Sequence, residues 1–244
     1  MGLLEWAHRR ETPAQRRAWE LLKTASRFEV PVIPGLHHLL LAERRFRTGP
    51  LRLLWNKLYH EPLLRLQCVS AGRGILLSEG LPKIIGNLRV TLGARVNLDG
   101  QQVWMATGDG TPKTLTIGDD SGVGFGTELI VGDSIKIGRH VMISTYVVLM
   151  GYDGHPLDPY ARAGHAPPGR EGIGPITVED YAWIGSRSII MKGVTIGRGA
   201  IVAMGSVVKM SVPELTVVSG NPARVVWQVA PPEGWSGVDR HDSP

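Results

Sequence analysis

Residues 176–212 read ITVEDYAWIGSRSIIMKGVTIGRGAIVAMGSVVKMSV, and their apolar residues recur with a period of six. A helix needs apolar residues three and four apart, and a half-buried strand needs alternation, so this period predicts short strands joined at tight corners. Three hexads complete one turn. Residues eighteen apart, such as Ile184 and Val202, should therefore stack about 4.8 Å apart inside a parallel β-solenoid. The hexads begin at Val178, Ile184, Ile190, Ile196, Val202 and Val208, and a small or apolar residue follows four places after each.

The same period continues upstream, from Leu92 onward, but with three interruptions. Residues 99–114 depart from the six-residue spacing, which predicts an irregular turn or a protruding loop, and a two-residue slip falls at 131–134. The largest interruption is 151–175. Inward side chains stack without gaps, so inserted residues must leave the wall of the solenoid. A long segment without apolar periodicity, such as 151–175, is then expected to be a functional loop.

The periodic stretch and two short motifs resemble a known family. Residues 178–208, followed by VVSGNPARVV (217–226), resemble the C-terminal half of the hexapeptide-repeat acyltransferases. GHPLDP (154–159) is typical of their maltose and galactoside O-acetyltransferase group. The resemblance covers about 84–226 and implies a mainly β fold, a left-handed parallel β-helix assembled as a homotrimer. The handedness and the trimer are implied by the resemblance alone, because left-handed crossovers between parallel strands are exceptional.

The first seventy or so residues lie outside the resemblance and contain three segments with helical spacing, at about 13–27, 36–46 and 51–66. Pro62 should kink or divide the third segment. We therefore predict three parts: an N-terminal α-helical extension (1–72), the β-helix acyltransferase domain (73–226) with an extruded catalytic loop (151–175), and a C-terminal tail (227–244) with the composition of a frayed end.

Composition restricts the class of protein. With 244 residues the chain can bury a substantial core, and its one cysteine, Cys68, excludes an internal disulfide framework. No CxxC pair or Cys/His cluster indicates a metal site, so we expect no metal cofactor. In the N-terminal residues MGLLEWAHRR a charged side chain follows the first four residues. Because this interrupts any long apolar segment, the stretch resembles neither a secretory signal nor a membrane span. A cytoplasmic location is predicted.

The net charge of +5 is distributed unevenly. Residues 1–73 hold 13 Lys/Arg against 6 Asp/Glu, and the remaining residues hold 14 against 16. We favour a lid on the end of the solenoid or a subunit contact as the role of the basic N-terminal part. A peripheral contact with an anionic membrane ranks second, and no nucleic-acid partner is expected, because charge alone is a weak signal.

His155 is the candidate catalytic base. Acetyl transfer from a thioester to a hydroxyl needs a group that takes the hydroxyl proton, and histidine titrates near neutrality. His155 lies between Gly154 and Pro156 at the start of the large interruption, and the resemblance of GHPLDP places the family's catalytic histidine on it. His165 is its rival, ranked lower because the surrounding HAPPG matches no part of the family motif.

Carboxylates that could orient the imidazole or bind the acceptor are Asp133, Glu128, Asp153 and Asp158. Counting without gaps from His155, the resemblance places an acceptor-binding aspartate on Asp133. The same count places Phe125 where the family carries an acceptor-binding asparagine. The difference at Phe125 bears on which acceptor is bound, and it does not change the predicted acetyl-transfer chemistry.

The resemblance also implies a coenzyme A groove between adjacent coils and a neighbouring subunit. AWIGSR supplies its floor, the next coil faces the pantetheine, and the arginine of GNPAR meets the nucleotide end, where a guanidinium suits phosphate. The family usually reads Thr-Lys where this chain reads Lys209-Met210, and a move by one residue on a strand changes faces. The implied residues are Trp183, Gly185, Ser186, Met204, Gly205, Lys209 and Arg224.

The predicted function is therefore direct acetyl transfer from acetyl-CoA, with His155 as general base, to a sugar or to a surface-polysaccharide or lipid-linked glycan. N-acetylation of a nucleotide-linked amino sugar is the closest alternative, because the same fold and base serve both. A zinc enzyme would need three histidine ligands, and His140, His155 and His165 lack a paired near-neighbour spacing. A non-catalytic β-helix scaffold would need neither GHPLDP nor GNPAR.

Overall fold

The computed structural model describes residues 2–107 and 110–235 and divides after Gly49 into two compact units. The first unit contains three helices: α1 (Leu3–His8), α2 (Pro13–Ser26) and α3 (Pro34–Thr48). Thr12 caps α2, since its hydroxyl accepts from the Gln15 N–H at 3.2 Å while Gln15 Oε1 accepts from the Thr12 N–H at 2.8 Å. The rings of His8 and Trp19 are nearly perpendicular, with centroids 5.0 Å apart, and this contact packs α1 against α2.

The second unit begins with a helical run whose winding changes in the middle. It consists of α4 (Pro50–Trp55), a π-helical turn (Asn56–His60) and α5 (Glu61–Gln67). Pro62 lacks an N–H and its ring crowds the preceding turn, so the regular α-helix is interrupted in front of it, as predicted. Among the described helices of both units, none combines the length and the apolar character needed to cross a bilayer.

In the part of the chain that the structure describes, twenty short strands follow, numbered in chain order, and form three sheets. The first sheet contains β1 (Ser70–Ala71), β4 (Leu88–Leu92), β7 (Lys113–Ile117), β10 (Ser134–Ile137), β13 (Ile176–Val178) and β16 (Thr195–Ile196). The second contains β2 (Leu76–Leu77), β5 (Asn97–Leu98), β8 (Gly122–Val123), β11 (Met142–Ile143), β14 (Trp183–Ile184), β17 (Ile201–Val202), β19 (Thr216–Gly220) and β20 (Ala223–Gln228). The third contains β3 (Lys83–Ile85), β6 (Val103–Ala106), β9 (Glu128–Val131), β12 (Val148–Met150), β15 (Ile189–Met191) and β18 (Val207–Val208).

Consecutive coils pair in parallel and stack their hexads inside the solenoid. Ile184 pairs with Val202 on the next coil, as the spacing of eighteen predicts, and both side chains are fully buried. Among the described strands, only the last pair, β19 and β20, is antiparallel. The predicted parallel β-helix with an N-terminal helical segment is therefore confirmed as a three-sided parallel solenoid. The described part of the predicted C-terminal tail includes the end of β20, and residues 236–244 lie outside the described residues.

The expectation of an irregular loop over 99–114 was wrong in part. β6 lies inside this segment, and Trp104, which is fully buried, pairs with Ile84 on one side and Leu129 on the other. Trp104 follows Leu98 by six residues and continues the hexad spacing. Its indole N–H donates to Gln102 Oε1 at 3.0 Å, which satisfies the one polar atom of the ring inside the core.

The helical run 50–67 covers the first coil and satisfies backbone carbonyls that no further strand reaches. Asn56 Nδ2 donates to Leu77 O at 2.6 Å, Lys57 Nζ donates to Ile75 O at 2.8 Å, and Arg65 donates to Ala71 O and Gly72 O, both at 2.7 Å. Leu64, fully buried, closes the hydrophobic core. This run therefore acts as a lid over an open β edge.

Glu61 holds two of the cations of the lid in place. Its carboxylate accepts from Lys57 at 2.7 Å and from Arg65 at 2.9 Å. Partial burial works to raise the pKa of Glu61, but the hydrogen bonds from Lys57 and Arg65 outweigh it, and the pKa lies below its usual value. The lid is therefore charged and paired at neutral pH.

Candidate functional site

The loop 151–175 leaves the solenoid after β12 and returns to it at β13, and its two ends are tied together. The Gly151 N–H donates to Ile130 O at 2.8 Å, and the Gly174 N–H donates to Gly151 O at 3.0 Å. Tyr152 and Ile173 form an antiparallel bridge one step further out. This closed base ties the two ends of the loop to each other and to β9 of the third sheet, before the chain enters β13 of the first sheet.

Within the loop, local hydrogen bonds fix the backbone of the GHPLDP segment. Asp158 caps the short helix α6 (Pro159–Ala163), since its Oδ1 accepts from the Ala161 N–H at 2.7 Å. Arg162, in the last turn of α6, donates to Pro156 O and Leu157 O at 3.1 Å each. The backbone that follows His155 is therefore fixed by its own neighbours, which is a local role for Asp158 and accounts for it without an acceptor.

His155 and His165 line one cavity of about 630 Å³, formed mainly by the two arms of the loop. α6 reverses the chain, and His165, in the left-handed region with φ of +57°, donates its N–H to Arg162 O at 3.1 Å. Both imidazoles are exposed, and neither bonds to a described side chain. The cavity is lined by Thr107, Tyr152, Gly154, His155, His165, Ala166, Pro167, Pro168, Gly169, Arg170 and Ile173.

None of the three carboxylates predicted to bind the acceptor lines this cavity. Asp153 is paired with Lys192, and its N–H donates to Gly172 O at 2.9 Å, so it ties the two arms of the loop to the next coil. Asp133 is exposed at the corner between β9 and β10. Glu128 is exposed on the outer face of β9, where it lies between Val103 and Val148.

A second depression, also of about 630 Å³, lies on the outer face of the second sheet and contains Trp183 and Ser186. The Trp183 indole N–H donates to Ser144 Oγ at 3.4 Å, and Thr145 Oγ1 donates to Ser186 Oγ at 3.2 Å. Trp183 is 45% exposed, so nearly half of its surface remains accessible. The depression is lined by Asn97, Asp99, Asp120, Ser121, Gly122, Val123, Gly124, Met142, Ile143, Ser144, Thr145, Trp183 and Ser186.

The remaining residues predicted for the donor groove lie around this face. Gly185 is buried, and a Cβ there would come within 2.6 Å of the Met204 N–H nitrogen, so the stacking of coils itself requires glycine. Met204 (74% exposed) and Gly205, with φ of +71°, form the next corner. Lys209, which directly follows β18, and Arg224, which lies on β20, are also exposed. Neither residue lines the depression.

Sequence reasoning missed four residues that the structure brings to the first cavity or its base: Thr107, Tyr152, Arg170 and Lys192. Tyr152 and Arg170 lie inside the segment that was singled out, but no motif marks them. Lys192 is 39 positions from Asp153, and only the stacking of coils brings the two together.

Among the described residues, no three His, Cys, Asp or Glu side chains are placed to hold a metal ion. His140 instead stacks on Tyr181, with ring centroids 4.9 Å apart.

Comparison with known proteins agrees with the fold and the repeat. Residues 175–209 match the family described as bacterial transferase hexapeptide (six repeats), which confirms the predicted hexapeptide resemblance. An N-acyltransferase variant, AntD from Bacillus cereus, solved with dTDP-4-amino-4,6-dideoxyglucose and coenzyme A, has a TM-score of 0.56. It is 22% identical, and the match covers 70% of this chain and 89% of AntD. At that identity it shows the fold alone.

Two named relatives are similar in sequence. The galactoside O-acetyltransferase of Escherichia coli is 32% identical over 117 residues, which are 48% of this chain and 55% of that enzyme. The 2,3,4,5-tetrahydropyridine-2,6-dicarboxylate N-acetyltransferase of Staphylococcus aureus is 46% identical over 56 residues, 23% of each protein. The chain thus spans about half the length of the first of these relatives and less of the second.

Proposed function

We propose that this hexapeptide-repeat protein is an acetyltransferase that uses acetyl-CoA and acts on a hydroxyl of a sugar or glycan, with His155 as general base. One observation carries the proposal: His155 lies, exposed, in the wall of a cavity whose loop is fixed at both ends on the solenoid. The similarity to galactoside O-acetyltransferase supports O-transfer.

In the proposed reaction, acetyl transfer follows a short sequence of steps. The His155 ring takes the proton of the acceptor hydroxyl while the oxygen attacks the thioester carbonyl. The carbon–oxygen bond forms, the carbon–sulfur bond then breaks, and the departing thiolate takes the proton back from the imidazolium. Transfer is direct, because no Ser-His or Cys-His pair lies in the cavity. No described carboxylate orients the imidazole, so its position depends on Pro156 and Arg162.

Trp183, Ser186 and the exposed Met204 suit a long, flexible donor such as pantetheine, because they combine apolar surface with hydroxyl groups. We propose that this face holds the donor. It is a different cavity from that of His155 within one chain, so a complete site would combine His155 of one copy with Trp183 of a second copy. A homotrimer, as in the family, would supply that arrangement.

N-acetylation of an amino sugar on a nucleotide is the second candidate. The similarity to the named dicarboxylate N-acetyltransferase favours an amine acceptor, and His155 could remove a proton from an amine as from a hydroxyl. A peripheral membrane contact through the basic N-terminal helices, and a cytoplasmic location, also belong to the proposal. Exposed apolar residues of these helices, among them Leu21, Leu39 and Phe46, support a contact of some kind.

The test is acetyl transfer by the purified protein. Acetyl-CoA is supplied with matched hydroxyl and amine acceptors, and coenzyme A release and the acetylated products are measured for the wild type and for His155→Gln. We expect an acetylated product that His155→Gln fails to form while its acetyl-CoA affinity is kept. Equal product from both proteins would remove His155 from the mechanism, and the absence of acetyl-CoA binding would favour the scaffold.

A further inference from the structure

We infer that the His155 cavity takes an acceptor that carries an anionic group, a phosphate or a carboxylate, and that Arg170 and His165 bind that group. This inference rests on the proposed function, because it names the substrate class of the same cavity. It comes from the charges that line the cavity and from the partners that each charge already has.

Arg170 is the one Lys, Arg, Asp or Glu among the described residues that line the cavity, so the fixed charge of the wall is positive. His155, His165, Arg170 and the phenol of Tyr152 contribute to the lining, whereas no Asp or Glu does. A cavity that received a neutral sugar through polyhydroxyl contacts would be expected to offer carboxylates, which are good acceptors for hydroxyl protons. This cavity offers donors instead.

The nearby carboxylates are directed elsewhere. Asp153, at the base of the loop, is paired with Lys192. Glu171 follows Arg170 in sequence, but its carboxylate lies beside Gly169 and does not contribute to the cavity lining. Neither carboxylate lines the cavity, although that of Glu171 lies against Gly169, which does, and neither is bonded to Arg170.

Arg170 has no ion pair and no side-chain hydrogen bond to any residue in 2–107 or 110–235. Its surroundings in the wall are apolar, with Pro167, Pro168 and Ile173 contributing to the same lining. Arg170 itself is exposed, so water screens its charge, and its fit to an anion depends on the geometry of its donors. A guanidinium presents its N–H groups as a planar fork, which matches two oxygens of a carboxylate or a phosphate.

His165 completes the arrangement. It lies between α6 and the Pro167–Pro168 arm, five residues before Arg170, and both side chains reach the cavity that contains His155. This gives the two histidines different roles. His155 remains the base at the reacting oxygen or nitrogen, and His165 acts with Arg170 as a specificity-determining group at the far end of the acceptor.

The inference is tested by binding and by kinetics with acceptors that differ only in charge. Glucose, glucose 6-phosphate and glucuronate form one set, and glucosamine and glucosamine 6-phosphate form another. Calorimetry without acetyl-CoA gives affinity independently of turnover. We expect at least a tenfold preference for one or more anionic members in the wild type, and the preferred member identifies phosphate or carboxylate.

Arg170→Gln should remove that preference, Arg170→Lys should restore part of it, and neither should change acetyl-CoA affinity. Arg89→Gln is the matched control, because Arg89 is exposed on β4 and does not line the cavity. If anionic and neutral members bind and react alike, or if Arg170→Gln leaves the preference intact, the inference is overturned while acetyl transfer stands. Failure of the proposed function is a separate result, recognised by the absence of His155-dependent transfer to any acceptor.

Discussion

His155 and His165 face one cavity although the helix α6 separates them in the chain. Two histidines in one pocket could both be bases, so their roles must be separated by experiment. The residues after His155 are held by Arg162 and by the cap of α6, whereas the single residue after His165, Ala166, leads into a Pro-Pro arm.

The first prediction separates the two histidines. His155→Ala should lower kcat about 10²–10⁴-fold and leave acetyl-CoA affinity nearly unchanged, as expected for loss of a general base. His165→Ala should change kcat far less and should mainly raise the KM for an anionic acceptor. Steady-state kinetics at saturating acetyl-CoA gives both numbers. Equal loss of kcat in the two variants would contradict the assignment of the base.

The second prediction concerns the pair between Asp153 and Lys192, which ties the loop to the next coil. Lys192→Met should loosen the base of the loop and lower kcat about 10-fold or more, because small displacements of a catalytic group are costly. KM for acetyl-CoA should not change. Asp153→Asn should have a similar effect, and the double variant should lose less than the two single losses combined, because both remove one interaction. Fully independent effects would show that the pair does not position the loop.

Most of the solenoid could be predicted from the sequence because its register depends on local spacing. Ile184 pairs with Val202 as expected from their separation in the chain. Trp104 was missed because its segment has polar residues and a break on either side of a single strand. A hexad is recognised because its spacing repeats in neighbouring hexads. The hexad that contains Trp104 has no regular neighbour after it, so the repeat does not reveal it.

The candidate site was predictable only where a motif carried it. GHPLDP points to His155, whose role stays a prediction, but the contact of Asp153 with Lys192 and the position of His165 depend on how distant coils and the two arms of the loop meet. Arg170 has no sequence signal beyond lying in the interrupted segment. Contacts between residues far apart in the chain follow from the closed three-dimensional fold, and spacing along the sequence does not encode them.

The third prediction compares two truncations of the N-terminal part. Deletion of residues 1–49 removes the first unit and keeps the lid formed by Asn56, Lys57 and Arg65, so the protein should remain soluble and active on a small acceptor. Deletion of residues 1–69 removes the lid and exposes the edge of the first coil, which should cause aggregation. Light scattering after purification separates the two.

Vesicle co-sedimentation with the same truncations tests the membrane alternative. Binding of the full-length protein to anionic vesicles that is lost at high salt, and lost again on deletion of 1–49 with activity intact, would show that the first unit is a membrane contact. Salt-independent or absent binding would favour the subunit contact.

The fourth prediction concerns Cys68. Burial raises the pKa of its thiol to about 11, although Arg65 acts in the opposite direction. At pH 8 only about one thiol in a thousand is then ionised, so alkylation by iodoacetamide should be about 100-fold slower than for a free cysteine with an ordinary pKa. Unfolding in urea should restore the ordinary rate. Cys68→Ser should keep full activity, since direct transfer needs no thiol, and a large loss of kcat would indicate a covalent intermediate.

The last prediction tests whether one active site is built from two copies of the chain. His155 and Trp183 lie in separate cavities of a single copy, so each of the variants His155→Ala and Trp183→Ala should be inactive at low acetyl-CoA concentration. Co-refolding the two variants in equal amounts should restore about a quarter of the wild-type activity, because in a closed ring about one contact in four joins an intact His155 to an intact Trp183. Each variant refolded alone is the control. If the mixture is no more active than the two controls, His155 and Trp183 do not meet across copies, and the shared site proposed here is wrong.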